Sequence, residues 1–438
     1  MRRIPPRPPF TLALVVALGA AAAPARADIF VVDTTATDDD GSCDPAPEDC
    51  TLPEAIAAAS ARPGRDAITF DPAVFPPGSP AAIQPAAALP PITDPAGTTV
   101  DGSGAGVILD GETLAGEEHG LVIQSGAGSP LGGVIVQNLL IGGFPGTGLL
   151  VCGGETPDCD EDVTKTRILE VTALFNGQNG ITVDGRANTG TLVADSTASF
   201  NGSRGINLNA SLGQALTKAK VDGCTAEGND STGINLNASG DNLGSQVVGS
   251  LAEDNLGTGI NLNAGANVSR ARISNSRAID NGGSGIDVNA AGQHSGTKLS
   301  NVVADENTSG GVRLNAGGGN PVTGAAISGS QASLNGGAGF ELEGGASKIS
   351  KNIADENGGH GIALVADGPS SGSRISKNQT NGNDGAGVFV DLDNTANKIS
   401  GNTALSNLEF DLVDENPGCD ANRWSKNAFG SANEGCIE

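Results

Sequence analysis

A glycine that recurs about every 26 residues constrains this chain of 438 residues more than any other feature. The residues one and three places after it are aliphatic and the residue between them is mostly polar, which is the period-two alternation of a β-strand. The glycines are Gly180, Gly205, Gly233, Gly259, Gly285, Gly311, Gly339, Gly361 and Gly387. A chain that repeats one short apolar pattern buries each unit only against its neighbours.

Three further columns keep the same register. Twelve places before the glycine the residue is aliphatic, as in Val247 and Ile273, and seven places before it is small, as in Ala252. Four places before, asparagine stands without exception, from Asn176 to Asn383. The pattern predicts three short strands per coil, with one turn of variable length after the glycine segment. We expect an all-β fold, a right-handed parallel β-helix.

Stacked coils lie about 4.8 Å apart, so identical side chains lie directly above one another. The aliphatic columns then form a dry interior, and each asparagine can hydrogen-bond along its own column. The glycine and the asparagine suit backbone with positive φ at tight turns. The composition agrees with such a thin core, because the chain has 66 Gly, no Tyr, one Trp and one Met.

Four segments follow along the chain. Residues 1–27 resemble a signal peptide, with Arg2, Arg3, an apolar stretch and the cleavage pattern Ala25-Arg26-Ala27; a membrane anchor is the alternative. Residues 28–96 are predicted to cap the first coil, with a short helix over 52–60. Residues 97–413 hold the repeats, and residues 414–438 form a C-terminal cap around Trp424 and Phe429.

Six of the seven cysteines lie in three local pairs. An exported protein can form disulfides, and local pairing is the simplest of the connectivities that the count allows. A zinc site is the alternative, although no His lies near these pairs and the C-x₂-C spacing is absent. The three pairs are Cys43 with Cys50, Cys152 with Cys159, and Cys419 with Cys436, which leaves Cys224 over.

The formal net charge of −26 disfavours nucleic acid and anionic membranes as partners. Beyond the first 27 residues no hydrophobic stretch is long enough to span a membrane. We therefore expect a monomeric protein that is secreted, extracellular or at the cell surface.

A family resemblance supports the fold. The segment Cys50-Thr51-Leu52-Pro53-Glu54-Ala55-Ile56 resembles the CSLREA-type N-terminal segment of bacterial surface β-helix proteins, with Pro53 where that pattern has Arg. The repeats resemble the pectin-lyase-like superfamily. The resemblance implies the fold and export, and it leaves the activity open.

Two arrangements resemble catalytic sites. The outward position two places after the glycine changes from Asn to Asp287, Arg313 and Glu341, which places an Arg between two carboxylates on successive coils. Such a group could serve a polysaccharide lyase or glycosidase; a surface ladder of ion pairs is the alternative. His360 between two glycines, followed by Arg374, resembles motifs of polygalacturonases, but both residues also belong to repeated columns.

Two further strips are candidates for binding. The outward amides of Asn207, Asn235 and Asn261 form a flat polar surface that could contact glycan hydroxyls. A column of acids near the asparagine turn could hold calcium, and a solvated turn face is the alternative. The acids proposed as calcium ligands are Asp305, Glu306, Asp355 and Glu356. We expect no other cofactor.

These features favour a non-catalytic, structural, adhesive or carbohydrate-contacting module whose partner is an extracellular polysaccharide or a cell-surface glycan. The alternatives are a polysaccharide lyase or glycoside hydrolase of the pectin-lyase-like superfamily, and a proteolytic or anchored partner module. An enzyme of this kind is expected to carry inserted loops beside Asp287, Arg313 and Glu341.

Overall fold

The computed structural model describes residues 27–38, 41, 43, 50–62, 64–366 and 368–438. The predicted signal peptide therefore lies almost wholly outside the described residues. The chain winds into a parallel β-helix in which each strand pairs with the equivalent strands of the coils before and after it. We name the principal sheets I to IV.

Sheet I has 15 strands, sheet II has 12, sheet III has eight and sheet IV has seven. Sheet I consists of Ile29–Val32, Ala67–Phe70, Thr99–Asp101, Ile135–Gln137, Arg167–Leu169, Leu192–Ala194, Lys220–Asp222, Gln246–Val248, Arg272–Ser274, Lys298–Ser300, Ala326–Ser328, Lys348–Ser350, Arg374–Ser376, Lys398–Ser400 and Arg423–Ser425. Sheet II consists of Leu121–Gln124, Leu149–Cys152, Ile181–Gly185, Ile206–Ala210, Ile234–Ala238, Ile260–Ala264, Ile286–Ala290, Val312–Ala316, Phe340–Glu343, Ile362–Val365, Val388–Val390 and Leu412–Asp414. Sheet III consists of Ala81–Ile83, Val107–Asp110, Leu140–Gly142, Thr172–Leu174, Thr197–Ser199, Thr225–Glu227, Leu251–Glu253 and Arg277–Ile279. Sheet IV consists of Leu131–Gly132, Val163–Thr164, Asn188–Thr189, Leu216–Thr217, Asn242–Leu243, Val268–Ser269 and His294–Ser295.

Sheet III continues as single bridges toward the pair Thr403–Ala404 and Ala428–Phe429, and a second two-stranded pair joins Ser370–Ser371 to Asn394–Thr395. The prediction of three strands per coil is wrong for the coils that contribute to sheet IV, because these coils have a fourth short strand. The two-residue strands of sheet IV lie within the turn of variable length, where the inward residue changes type from coil to coil.

The buried asparagine column confirms the predicted ladder. Asn255 Nδ2 donates to Asn281 Oδ1 over 2.9 Å and to the Ala226 carbonyl over 3.0 Å, while Asn255 Oδ1 accepts from the Asn229 backbone N–H over 3.1 Å. The same bonding recurs from Asn176 to Asn407. Each asparagine thus supplies hydrogen-bond partners to backbone groups in the turn between sheet III and sheet II, where no strand pairing is available.

The repeated glycine serves close stacking, so the prediction of positive φ at this position is wrong. A Cβ on Gly259 would lie 2.7 Å from Asn281 Nδ2 and 2.8 Å from the Gly285 carbonyl oxygen of the next coil. The same prediction is wrong for the asparagine column, because the left-handed residues are those directly before it, for example Asp254 and Asp280. Glycine therefore recurs because the asparagine ladder leaves no space for a side chain.

The N-terminal helix Leu52–Ala61 forms where it was predicted. Thr51 Oγ1 accepts from the Glu54 backbone N–H and the Glu54 carboxylate accepts from the Thr51 backbone N–H, which is a capping box. Leu52 and Ile56 are fully buried in the core, and the helix packs against the first two strands of sheet I. The segment 28–96 also contributes Ala81–Ile83 to sheet III.

The opposite end is closed by the only tryptophan. Trp424 pairs in register with Ile399 and is 4% exposed, so it forms the last rung of an aliphatic column. Its Nε1 donates to Asp414 Oδ2 over 2.8 Å. A single turn of 3₁₀-helix, Pro417–Cys419, leads into the disulfide from Cys419 to Cys436.

The structure contains the three expected disulfides, from Cys43 to Cys50, from Cys152 to Cys159, and from Cys419 to Cys436. Cys224 is free and buried in the core, and burial raises the pKa of its thiol to about 11. Within the described ranges, no helix is long and apolar enough to cross a membrane.

Candidate functional site

Sheet II carries the residues that the sequence singled out. Its strands pair Asp287 with Arg313 and Arg313 with Glu341, so the three lie on successive coils as predicted. The same outward column holds Thr182, Asn207, Asn235 and Asn261 on the preceding coils. One face of the solenoid therefore presents both candidate sites.

The Asp287 group resembles a catalytic site only in part. Asp287 Oδ1 is buried and has no hydrogen-bond partner among the described residues. The pKa of Asp287 lies above its ordinary value, chiefly because the side chain is buried. The charge of Arg313 opposes this rise and the charge of Glu341 adds to it. Arg313 Nε lies 3.8 Å from Glu341 Oε1 and both side chains are partly exposed, so this ion pair contributes little to stability. Both residues line a shallow pocket of about 230 Å³.

The outward asparagines form two parallel ladders. In the first ladder, Asn261 Nδ2 donates to Asn235 Oδ1 and Asn235 Nδ2 donates to Asn207 Oδ1, each over 2.7 Å. In the second ladder, the amides of Asn263, Asn237 and Asn209 donate in the same direction and end on Asp184 Oδ1. The hydrogen bonds of the ladders hold the amides in place. Asn207 and Asn235 are in addition largely buried, at 6% and 4% exposed.

A polar cleft of about 400 Å³ covers the beginning of both ladders. Its floor includes Asn207 and Asn235, whereas Asn261 is not among its lining residues. One wall is the disulfide-bonded loop between Cys152 and Cys159, and the other is the row of turns before sheet II. The lining residues of that second wall are His119, Thr147, Gln178, Asn179 and Arg204.

The two ladders end differently within this cleft. Thr182 Oγ1 is buried and has no hydrogen-bond partner among the described residues, and Asn207 Nδ2 donates to no protein atom described there. Beside them, Asp184 accepts from Asn209 Nδ2 over 2.8 Å, and burial raises its pKa. A free donor and a carboxylate acceptor therefore lie on adjacent coils of the cleft floor, where Asn207 pairs with Thr182 and Asn209 pairs with Asp184.

Sequence reasoning missed His119, Arg204 and Asp184. Arg204 stands in the position directly before the repeated glycine, where the following coils have Thr232, Thr258 and Ser284. The insertion after Cys152 was the one available signal, because it lengthens the variable turn that follows the glycine segment.

Two histidines occupy that same position before the glycine and share one bonding pattern. His119 Nδ1 accepts from the Thr147 backbone N–H and His360 Nδ1 accepts from the Ala386 backbone N–H, each over 2.9 Å. Burial lowers the pKa of both rings. Arg374 lies on sheet I and His360 precedes sheet II, so the structure does not join them as the polygalacturonase-like pattern would require.

The acidic column forms separate hydrogen-bonded units. Asp305 accepts from Gln331 Nε2 over 2.7 Å and from the Ser333 backbone N–H over 2.8 Å. Asp355, which lies two coils after Asp305, accepts the equivalent bonds from Gln379 Nε2 and the Asn381 backbone N–H. Glu306 and Glu356 occupy left-handed turn positions. The described part of the chain has no group of three or more metal-binding side chains.

We expect chelation of divalent cations with EDTA to leave the melting temperature unchanged within about 1 °C, because the Gln and backbone donors already satisfy Asp305 and Asp355. Thermal unfolding followed by circular dichroism, with and without added calcium, measures this. A calcium-dependent rise in melting temperature that Asp305→Asn abolishes would contradict it.

A second, apolar cleft of about 580 Å³ lies beside sheet III. Phe175 forms its edge and stacks on Phe200 with ring centroids 5.3 Å apart, and both rings are largely exposed. The equivalent position holds Asp254 and Asp280 on later coils. This cleft lacks the convergent polar groups of the cleft over sheet II, which we take as the candidate site.

Residues 158–327 and 322–428 match the family described as right handed beta helix region, and together they cover more than half of the chain. The protein belongs to this family. No curated protein matches the sequence.

The solved structures that are similar to this chain include the following three. The A-module of mannuronan C-5 epimerase AlgE6 from Azotobacter vinelandii is 16% identical with a TM-score of 0.51, covering 87% of this chain and 93% of that one. A double mutant of the periplasmic alginate epimerase AlgG is 14% identical with a TM-score of 0.49, covering 81% and 88%. Tailspike protein 3 of bacteriophage CBA120 is 11% identical with a TM-score of 0.49, covering 86% and 56%. At 16% identity, the likeness to the AlgE6 module concerns the fold alone.

Proposed function

We propose that this protein is a secreted or cell-surface carbohydrate-binding β-helix, and that a polysaccharide chain lies in the cleft over sheet II. The observation that carries the proposal is that two polar groups on the cleft floor lack protein partners, the buried Thr182 hydroxyl and the Nδ2 group of Asn207. Buried polar groups are normally hydrogen-bonded, so a bound ligand would supply the missing partners.

Other features agree with this proposal. The amide ladders are rigid, and therefore a ligand that bonds to them loses little additional side-chain entropy. Three disulfides are typical of proteins outside the cytoplasm. AlgE6, which shares the fold, is named as an epimerase of a polysaccharide.

We expect Thr182→Leu and Arg204→Thr each to weaken polysaccharide binding at least tenfold, which corresponds to about 1.4 kcal/mol. Both substitutions suit their columns, because Leu150 precedes Thr182 in register and Thr232 follows Arg204. Affinity electrophoresis and calorimetry against soluble glucans, mannans, galactomannan, alginate and polygalacturonate measure the effect.

Phe175→Asp serves as the matched control. Residue 175 lies beside sheet III, away from the cleft over sheet II, and later coils carry Asp254 and Asp280 at the equivalent position. The proposal requires this variant to bind like the wild type. Failure of the wild type to bind any polysaccharide of the panel, or loss of binding in Phe175→Asp alone, would overturn it.

A polysaccharide lyase or glycoside hydrolase is the second candidate, favoured by the buried Oδ1 of Asp287 beside Arg313. In this case Asp287 would act as a proton donor and Arg313 would neutralise the substrate. Screening the panel for unsaturated uronate absorbance and for reducing ends tests this, and Arg313→Ala should abolish any activity found. Full activity in that variant would exclude the role of Arg313.

A further inference from the structure

The charged residues in and near the cleft over sheet II bear on whether it binds neutral or acidic polysaccharides. Arg204 is the only formally charged cation in the lining, because His119 Nδ1 accepts a backbone N–H and burial lowers the pKa of the ring. Exposed carboxylates flank both walls: Glu117 and Glu118 precede His119 on one side. On the other, the disulfide loop carries Glu155 and Asp158, and Asp160 directly follows the loop.

The floor adds a further acceptor. Every amide of the second ladder donates toward Asp184, so the oxygens of this carboxylate are the terminal acceptors of an aligned chain of dipoles. One coil on, the first ladder ends with the free Asn207 Nδ2 donor beside Thr182 Oγ1. A hydroxyl group can both accept and donate, and two hydroxyls of one sugar ring can therefore satisfy the two ladder ends together.

We propose that the cleft binds neutral, hydroxyl-rich sugar units and disfavours uronates, an inference that rests on the proposed carbohydrate-binding function. A uronate carboxylate cannot donate to Asp184, which is the one acid in the lining, and exposed acids stand next in sequence to the lining residues of both walls. Arg204 is the one opposing charge in the lining. A neutral sugar ring meets no such repulsion, and its hydroxyl groups can bond both to the Asn207 donor and to the Asp184 acceptor.

The test compares soluble glucomannan with polygalacturonate and alginate of matched chain length, by calorimetry at about 50 mM salt. Glucomannan is expected to bind at least tenfold more tightly than either polyuronate. Raising the salt concentration should narrow that difference, because screening weakens the repulsion between charges.

Asp184→Asn tests the role of the floor directly. Asparagine continues the column of Asn209 and Asn237, so the ladder and the fold are preserved. The variant is expected to bind polyuronates at least threefold more tightly than the wild type. Glu117→Gln/Glu118→Gln should shift the preference in the same direction.

The outcomes separate the two proposals. Binding of polyuronates as tightly as glucomannan, with sensitivity to Thr182→Leu, would retain the carbohydrate-binding function and overturn the preference for neutral sugars. Binding of neither polymer would overturn the proposed function itself, and this inference with it.

Discussion

Replacing Asn255 by leucine is expected to lower the free energy of unfolding by about 4–6 kcal/mol, the largest effect of any single substitution considered. Asn255 is 1% exposed. Leucine has a similar volume, but it leaves the Asn229 backbone N–H without its partner inside the solenoid, and it removes the hydrogen bonds that Asn255 forms with the Asn229 amide and the Ala226 carbonyl. Each such group costs about 1–3 kcal/mol when it is buried and unsatisfied.

Guanidinium unfolding followed by circular dichroism measures this effect. Asn261→Leu provides the matched control, because Asn261 belongs to the outward ladder, and its single side-chain donation to Asn235 is partly exposed. We expect the control to lose about 1 kcal/mol or less. Equal losses in the two variants would show that the buried ladder is not the main polar support of the coils.

The second large effect concerns pH and His294. This ring is fully buried in sheet IV, where Nδ1 donates to the Asn315 carbonyl over 2.8 Å and Nε2 accepts from Thr297 Oγ1 over 2.7 Å. Burial lowers the pKa of His294 from 6.5 to about 4. The unfolded chain therefore takes up a proton at a higher pH than the folded chain does.

The contribution of His294 is fully present above pH 6.5 and is lost as the pH falls to about 4. The total loss is about 3 kcal/mol, since each pKa unit corresponds to 1.36 kcal/mol. His294→Asn is expected to remove this dependence while retaining the fold, because Asn242 in the same column donates to the equivalent Asn263 carbonyl.

Urea unfolding of both proteins at pH 7 and pH 4.5 isolates the effect, because all other titrating groups are shared. The wild type should lose more stability than His294→Asn by about 2–3 kcal/mol over this interval. If both proteins lose the same amount, the ring is not held neutral by burial.

The period of the sequence was sufficient to predict the coil, its aliphatic columns and the asparagine ladder. These features depend on residues that recur at one spacing, and stacking at about 4.8 Å leaves few alternatives. The short strands of sheet IV were missed because they lie in the variable turn, where Leu216, Asn242, Val268 and His294 alternate between apolar and polar.

The candidate site was predictable only where it follows the register. Asp287, Arg313 and Glu341 were predicted to be neighbours because they share a column. The cleft instead joins Thr156 to Asn235, which lie far apart in sequence and meet because one inserted loop folds over several coils. Spacing alone also could not show that Gln331 and Gln379 satisfy the carboxylates predicted to bind calcium.

Hydrogen–deuterium exchange with and without the tightest-binding polysaccharide of the panel locates the bound chain on the solenoid. We expect protection to be confined to the two cleft walls, in residues 117–120, 177–180 and 154–161, and we expect Thr182→Leu to remove it. Protection centred on Phe175 and Phe200, or on the coils of Asp287 and Glu341, would show that the polysaccharide does not bind in the cleft over sheet II.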